Sequence, residues 1–157
     1  MIIREATEKD FNEMDRLFKQ LDGIHSDAHP EMFNKPIDHV RTAEMLSEII
    51  QNENKILIVA VDDNHIVGIA NAEIESAPNF PLFKKRKWLL ISTIVVDETQ
   101  RGKGIGNKLL DNLYEWAKKN NVHEAELTVY SFNESAIGFY EHNGFKEYKR
   151  KMRKKNI

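Results

Sequence analysis

The chain contains no cysteine. Disulfides, thiolate metal centres and a cysteine nucleophile are therefore excluded. Four prolines and seven glycines are all that punctuate 157 residues, and aromatic residues make up only 9%. No Pro- or Gly-rich linker, internal repeat or low-complexity tract divides the sequence. It reads as one domain, residues 1–157, long enough to close a single core. Long hydrophobic runs are also missing. The longest, Ile56-Leu57-Ile58-Val59-Ala60-Val61, is far too short to span a bilayer. Arg4 and Glu5 interrupt the N-terminal segment before a signal-like apolar stretch develops. These absences predict a cytoplasmic protein with no membrane attachment. With 41% hydrophobic and 31% charged residues, the composition is that of an ordinary globular chain.

The few glycines are not evenly spread. Three of the seven fall at 102, 104 and 106, within Gln100-Arg101-Gly102-Lys103-Gly104-Ile105-Gly106. A β-branched apolar run, Leu89 to Val96, precedes them. Ile105, Leu109, Leu110, Leu113 and Ala117 follow at helical spacing. Strand, glycine turn and helix start together present backbone N–H groups at a positive helix end, a setting for phosphate oxygens. A P-loop does not fit, because Gly106 is followed by Asn107, Lys108 and Leu109 rather than Lys and a hydroxyl residue. A dinucleotide fingerprint does not fit either: Gly104-Ile105-Gly106-Asn107-Lys108 leads to Leu109, and the loop lies two-thirds along the chain.

Periodicity predicts the remaining elements. Ile2-Ile3-Arg4 reads as a short strand, with Thr7 and Asp10 spaced as a capping box for a helix. That helix carries Phe11, Met14, Leu17, Phe18 and Leu21 and is expected to end at Asp22-Gly23, leaving residues 24–37 as a loop with His25 and His29. A second helix is expected over 38–52. Strands follow at 55–62, 66–75 and 88–96, the first two joined by an Asp63-Asn64 turn. After the glycine-loop helix come a strand at 124–130, a helix from Asn133 to about His142 stopped by Asn143-Gly144, and a last antiparallel strand at 145–153. This order gives one mixed, mostly antiparallel α/β sheet flanked by helices. The strand at 124–130 runs parallel to that at 88–96.

Arg101-x-x-Gly104-x-Gly106 resembles the acetyl-coenzyme A loop of the GCN5-related N-acetyltransferases (GNAT). Asn133 to Phe145 resembles the N-x-x-A-x-x-F-Y-x-x-x-G-F segment of the same family, at the family's distance from the loop. The two motifs cover residues 89–145 with the intervening helix and strand. The resemblance implies the GNAT acyltransferase fold and acetyl-coenzyme A as co-substrate, with no metal. In that family the pantetheine arm enters a gap beside the pre-loop strand. The implied cofactor-binding residues are Ile94, Val95, Val96, Arg101, Gly102, Lys103, Gly104, Ile105, Gly106 and Asn133, with an N–H near Ile94 or Val95 polarising the thioester carbonyl. Tyr140 matches the tyrosine that protonates the leaving thiolate.

The general base is less well marked. Ser92 and Thr93 stand where relatives often carry an acid, so Glu73 is the preferred candidate, with Glu75 on the same strand face. His25 and His29 lie in a region that shapes the family's acceptor site. Their His-x-x-x-His spacing gives no metal expectation, because Pro30 argues against a continuous helix and no H-E-x-x-H pattern is present. Residues 1–83 carry a net charge of −9 and residues 84–157 one of +7. A basic half suits an anionic co-substrate and an acidic half suits a cationic acceptor. The basic tail, Lys149 to Lys155, lacks interleaved aromatics, so nucleic acid is not an expected partner. The expected activity is transfer of an acetyl group to a primary amine, on a small cationic molecule, in a ternary complex. Acetylation of protein N-termini or lysines, and a non-catalytic coenzyme A sensor, are the alternatives; homodimer formation is left open.

Overall fold

The computed structural model describes residues 1–156. Its elements are β1 (Ile2–Glu5), α1 (Phe11–Ala28), α2 (Ala43–Ile50), β2 (Lys55–Asp62), β3 (His65–Ser76), β4 (Lys87–Val96), α3 (Ile105–Lys119), β5 (Ala125–Leu127) and α4 (Glu134–His142), with single 3-10 turns before α1 and α3. The strands lie in the order β1-β2-β3-β4-β5. The first four are antiparallel and β5 runs parallel to β4, so the sheet is mixed as predicted. Asp63 and Asn64 have φ of 46° and 64°, the left-handed pair that a two-residue hairpin turn needs.

Each face of the sheet is covered by helices; the apolar stripes of α1 and α3 are those the sequence predicts, whereas α2 buries Leu46 and leaves the expected Met45 and Ile50 exposed. Met14, Leu17 and Phe18 of α1 and Leu46 of α2 pack on Leu57, Val59, Ile66, Ile69 and Val95. On the other face, Ile105, Leu109, Leu110, Leu113 and Ala117 of α3 pack on Ile56, Ile58, Ala70, Ala72, Leu89 and Ile91. The predicted capping box forms: the Asp10 carboxylate accepts from the Thr7 amide at 2.7 Å and from both Arg4 guanidinium nitrogens at 2.7 and 2.8 Å. These bonds hold Asp10 at a pKa of about 2, the Arg4 bond contributing most.

Four expectations are corrected. Helix α1 does not stop at Asp22-Gly23 but runs to Ala28. Gly23 does not adopt a positive φ, and Asp22 is held by Arg41 at 2.7 and 2.9 Å instead of capping the helix. His25 is thus helical and His29 is the C-cap, whose amide closes onto His25. Helix α2 is shorter than 38–52, because Thr42 caps it by accepting from the Met45 amide. The strand at 124–130 shrinks to Ala125–Leu127, and the chain turns toward α4 through the Asn133 amide and the Tyr130 carbonyl. No strand forms over 145–153. That segment offers few apolar residues among five basic ones, and Tyr148 and Met152 remain exposed. It touches β5 by the Tyr148 hydroxyl donating to Glu126 at 2.7 Å.

Candidate active site

The corner between β4 and α3 is fixed from below. Buried Asp97 accepts from the Thr99 amide and hydroxyl at 3.0 and 2.8 Å and pairs with Arg16 of α1. Burial pushes this carboxyl up, but the Arg16 and Thr99 bonds outweigh it and leave the pKa at about 2. The glycine loop then turns outward. Gly102 and Gly104 have φ of 78° and 76°, a conformation that a Cβ disfavours, and the space where their Cβ atoms would lie is open. Among the described residues, the amides of 101–107 donate to no carbonyl; Lys108 is the first to close onto the helix, at Gly104. The corner therefore offers a run of free N–H donors at the start of α3, with Arg101, Lys103 and Lys108 around it. This donor set fits a pyrophosphate.

Gly106 serves a different purpose from its two neighbours. A Cβ there would stand 3.1 Å from the Phe139 ring. The missing side chain lets α4 dock against the first turn of α3, a contact tied by Asn143 donating to Asn107 at 3.1 Å.

The sheet opens beside this loop. Strand β4 pairs with β5 only from Leu89 to Ile91, against Ala125 to Leu127. Beyond that point no strand among the described residues pairs with its β5 side, while Thr93 to Val96 stay paired to β3. The register slips between Asn71 and Ala72, leaving Ser92 as the extra residue of a bulge at the vertex. The Asp97 amide donates to Val67 of β3. Strand backbone groups alternate sides, so the Val95 amide also turns to β3, and those of Ile94 and Val96 turn into the gap. The Arg101 Nε donating to the Val96 carbonyl at 3.3 Å agrees with that orientation. Of the two expected polarising amides, Ile94 is the one aimed at the gap.

Tyr140 packs between Phe139 and Phe145, with ring centroids 5.2 and 5.6 Å away. Burial, and secondarily Tyr114, push its hydroxyl up to a pKa of about 12, so it keeps its proton through the neutral range. Asn133 caps α4 by accepting from the Ala136 amide at 3.1 Å, which leaves its NH2 group as a donor. Glu73 pairs across the ladder with Leu90, one strand from the vertex, and its carboxylate meets the Lys55 ammonium at 3.2 Å. Alternation places it, with Glu75, on the α1 face. The 450 Å³ cleft between α3 and Phe145 lies at the far end of β4 and contains none of these groups.

One cluster was not foreseen. His25 stacks edge-on or tilted against Phe33, Tyr130 and Phe132, with centroids at 5.5, 5.5 and 5.8 Å. His29 meets Tyr130 and Phe132 at 6.0 and 5.2 Å. Phe33 follows α1, while Tyr130 and Phe132 follow β5, so no local pattern links them. Only the histidine pair was visible in the sequence. Among the described residues no group of three side chains suited to a metal ion occurs, and no helix is long and apolar enough to cross a membrane.

The profile of the acetyltransferase (GNAT) family matches residues 18–145. The chain is 22% identical over 147 residues to the uncharacterized N-acetyltransferase YhfO of Bacillus subtilis, spanning 94% of this chain and 91% of that one. It is 37% identical over 75 residues to the L-ornithine N5-acetyltransferase NATA1 of Arabidopsis thaliana, which covers 46% of this chain. The matched stretches span only 28% of the N-acetyltransferase MJ1207 of Methanocaldococcus jannaschii and 33% of NATA1. Among solved structures, a tetramutant of the BH1408 protein of Bacillus halodurans superposes with a TM-score of 0.92 at 32% identity, over 98% of both chains. An aminoglycoside N-acetyltransferase, AAC(6')-Iy, in complex with coenzyme A shares the fold, with a TM-score of 0.73 at 18% identity over 99% of both chains.

Proposed function

Because the chain belongs to the GNAT acetyltransferase family, we propose that it transfers the acetyl group of acetyl-coenzyme A directly to a primary amine on a small cationic molecule. The observation that carries this reading is the continuity of two features. The unpartnered half of β4, with the Ile94 amide turned into the gap, leads straight to the free amides of 101–107. When bound, acetyl-coenzyme A supplies an activated thioester and a thiolate leaving group. Amides 101–107 and the surrounding bases hold its pyrophosphate. Ile94 donates to the carbonyl oxygen as charge develops there, and the Asn133 NH2 group serves the pantetheine. Tyr140 gives its proton to the departing sulfur. Glu73 adds negative charge on the acceptor side, and no metal is required.

Support for a small amine acceptor comes from relatives named for ornithine and aminoglycoside acetylation and from the acidic first half of the chain. The setting is a cytoplasm, where acetyl-coenzyme A is available. The experiment is thiol release from acetyl-coenzyme A with polyamines, aminoglycosides, diamino acids, neutral amines and peptides. Turnover of a small cationic amine above the hydrolysis rate is the expected result. Turnover of peptides alone would move the activity to proteins. Tight coenzyme A binding with no turnover on any amine would make the chain a sensor.

A further inference from the structure

We infer that His25 is the general base, taking the proton from the acceptor's ammonium through Nε2, and that Phe33, Tyr130 and Phe132 form the wall that holds the acceptor against it. The inference rests on the acetyltransferase reading. Its first support is the tautomer. The His25 Nδ1 lies 2.9 Å from the Leu21 carbonyl oxygen. A carbonyl can only accept, so Nδ1 carries the hydrogen, and in the neutral ring Nε2 holds the free lone pair.

Position is the second support. Helix α1 packs on β3 and β4, whereas Tyr130 and Phe132 belong to the loop that leaves β4 behind after Leu127. The His25 ring joins these two parts of the molecule, and so roofs the gap on the α1 face. That face lies opposite α3, the helix beside which Tyr140 is packed. An acid on the α3 side and a base on the α1 side suit a reaction in which the amine attacks the carbonyl from one side and the sulfur departs toward the other.

A third support is the state of the competing group. Glu73 is already shared with Lys55, whereas among the described residues no carboxylate pairs with His25. The titratable groups around the cluster are few. His29, from the turn after α1, is held by Glu31 at 3.3 Å, and Glu31 in turn meets Arg153 and Lys155. The Tyr130 hydroxyl comes from the loop after β5, and Asp22 on α1 itself is paired with Arg41.

The proton balance is closed. The N–H bond of the ammonium breaks, its electron pair stays on nitrogen, and the proton bonds to Nε2. The neutral amine attacks the carbonyl and the C–S bond breaks, its electron pair leaving with sulfur. Tyr140 protonates that sulfur and is reprotonated by the proton the new amide nitrogen sheds. The imidazolium returns its proton to solvent. The net products are the acetamide, the free thiol and one proton.

The test is the pH dependence of kcat/KM for a turned-over cationic amine, corrected for the amine's own ionisation, in the parent and in His25→Gln. The parent should show an acid limb with the midpoint at which the His25 ring nitrogens titrate by ¹⁵N NMR. In His25→Gln the limb should vanish and kcat should fall by about 10²–10⁴-fold, with coenzyme A affinity held within twofold. A variant that keeps its limb and its kcat overturns the inference. So does a parent limb whose midpoint differs from the His25 titration, a comparison that needs no variant to fold. Transfer by the parent with His25→Gln unchanged overturns this inference alone. A parent that acetylates no amine overturns the acetyltransferase reading, and this inference with it.

Discussion

At Tyr140, packing and chemistry call for the same protonated phenol. Its burial between Phe139 and Phe145 raises the pKa to about 12, so the hydroxyl stays protonated near neutrality, as the proposed proton donor must. Tyr140→Phe keeps the ring and removes the proton; kcat should fall by about 10²–10⁴-fold while the Michaelis constant for the co-substrate changes little. Steady-state kinetics checks this, and kcat within a factor of two would remove Tyr140 from the reaction. The glycines divide by what their missing Cβ permits. Gly106→Val drives a side chain into the Phe139 ring, 3.1 Å away, and should cost about 1–3 kcal/mol of stability as an overpacked contact. Denaturant unfolding with an unchanged midpoint would contradict that packing. Tyr140, Asn133 and the glycines were legible in the sequence because each sits in a short, continuous motif. The two roles of Gly104 and Gly106 were not, since only the fold shows which one faces another helix.

Among the elements, α1 runs past its expected end, because a glycine with an ordinary helical φ does not end a helix. Its cost there is offset by the contacts His25 makes one half-turn later with residues over a hundred positions away. Gly23→Ala should therefore stabilise the chain, by up to ~1 kcal/mol, since a Cβ at Gly23 meets nothing within 4 Å. A lower melting temperature would mean that the helix does not run through this point. Two carboxylates anchor α1 at its start and against the end of β4. Asp10 and Asp97 both have folded pKa values of about 2, below the ordinary aspartate value. A depressed pKa contributes stability above the unfolded value and loses it as pH falls. Stability should thus drop between about pH 4 and pH 2, each group accounting for roughly 2 kcal/mol. Asp97→Asn should flatten that stretch of a stability-against-pH curve measured by chemical denaturation; an unaltered curve would exclude the linkage. The missing last strand has a plain cause. Lys149 to Arg153 offers repeated like charge with one apolar side chain, Met152, and alternation needs more than that to commit a segment to an edge.

Across the whole molecule, the charges divide along the chain as the proposed co-substrate and acceptor sides do. Residues 84–157, at +7, include the glycine loop; residues 1–83, at −9, include α1 and Glu73. With a screening length of about 8 Å at physiological salt, turnover of a polyamine should decline as ionic strength rises, and more steeply for amines of higher charge. Kinetics across a salt series would expose the opposite trend. The fold's plan was readable from strand and helix periodicity. The cluster over the gap was not, because it joins the end of α1 to the loop after β5 through tertiary contacts alone.

Whether the free amides of 101–107 hold a pyrophosphate is tested on the unaltered protein by comparing coenzyme A with pantetheine by calorimetry. Pantetheine keeps the thiol arm and lacks the pyrophosphate together with the 3′-phosphoadenosine; 4′-phosphopantetheine, which restores one loop phosphate alone, should recover part of the affinity. If two or more charge-assisted bonds from the loop carry the affinity, at about 1.5–3 kcal/mol each, coenzyme A should bind at least 100-fold more tightly than pantetheine. Equal affinities for the two would mean that the loop holds no pyrophosphate.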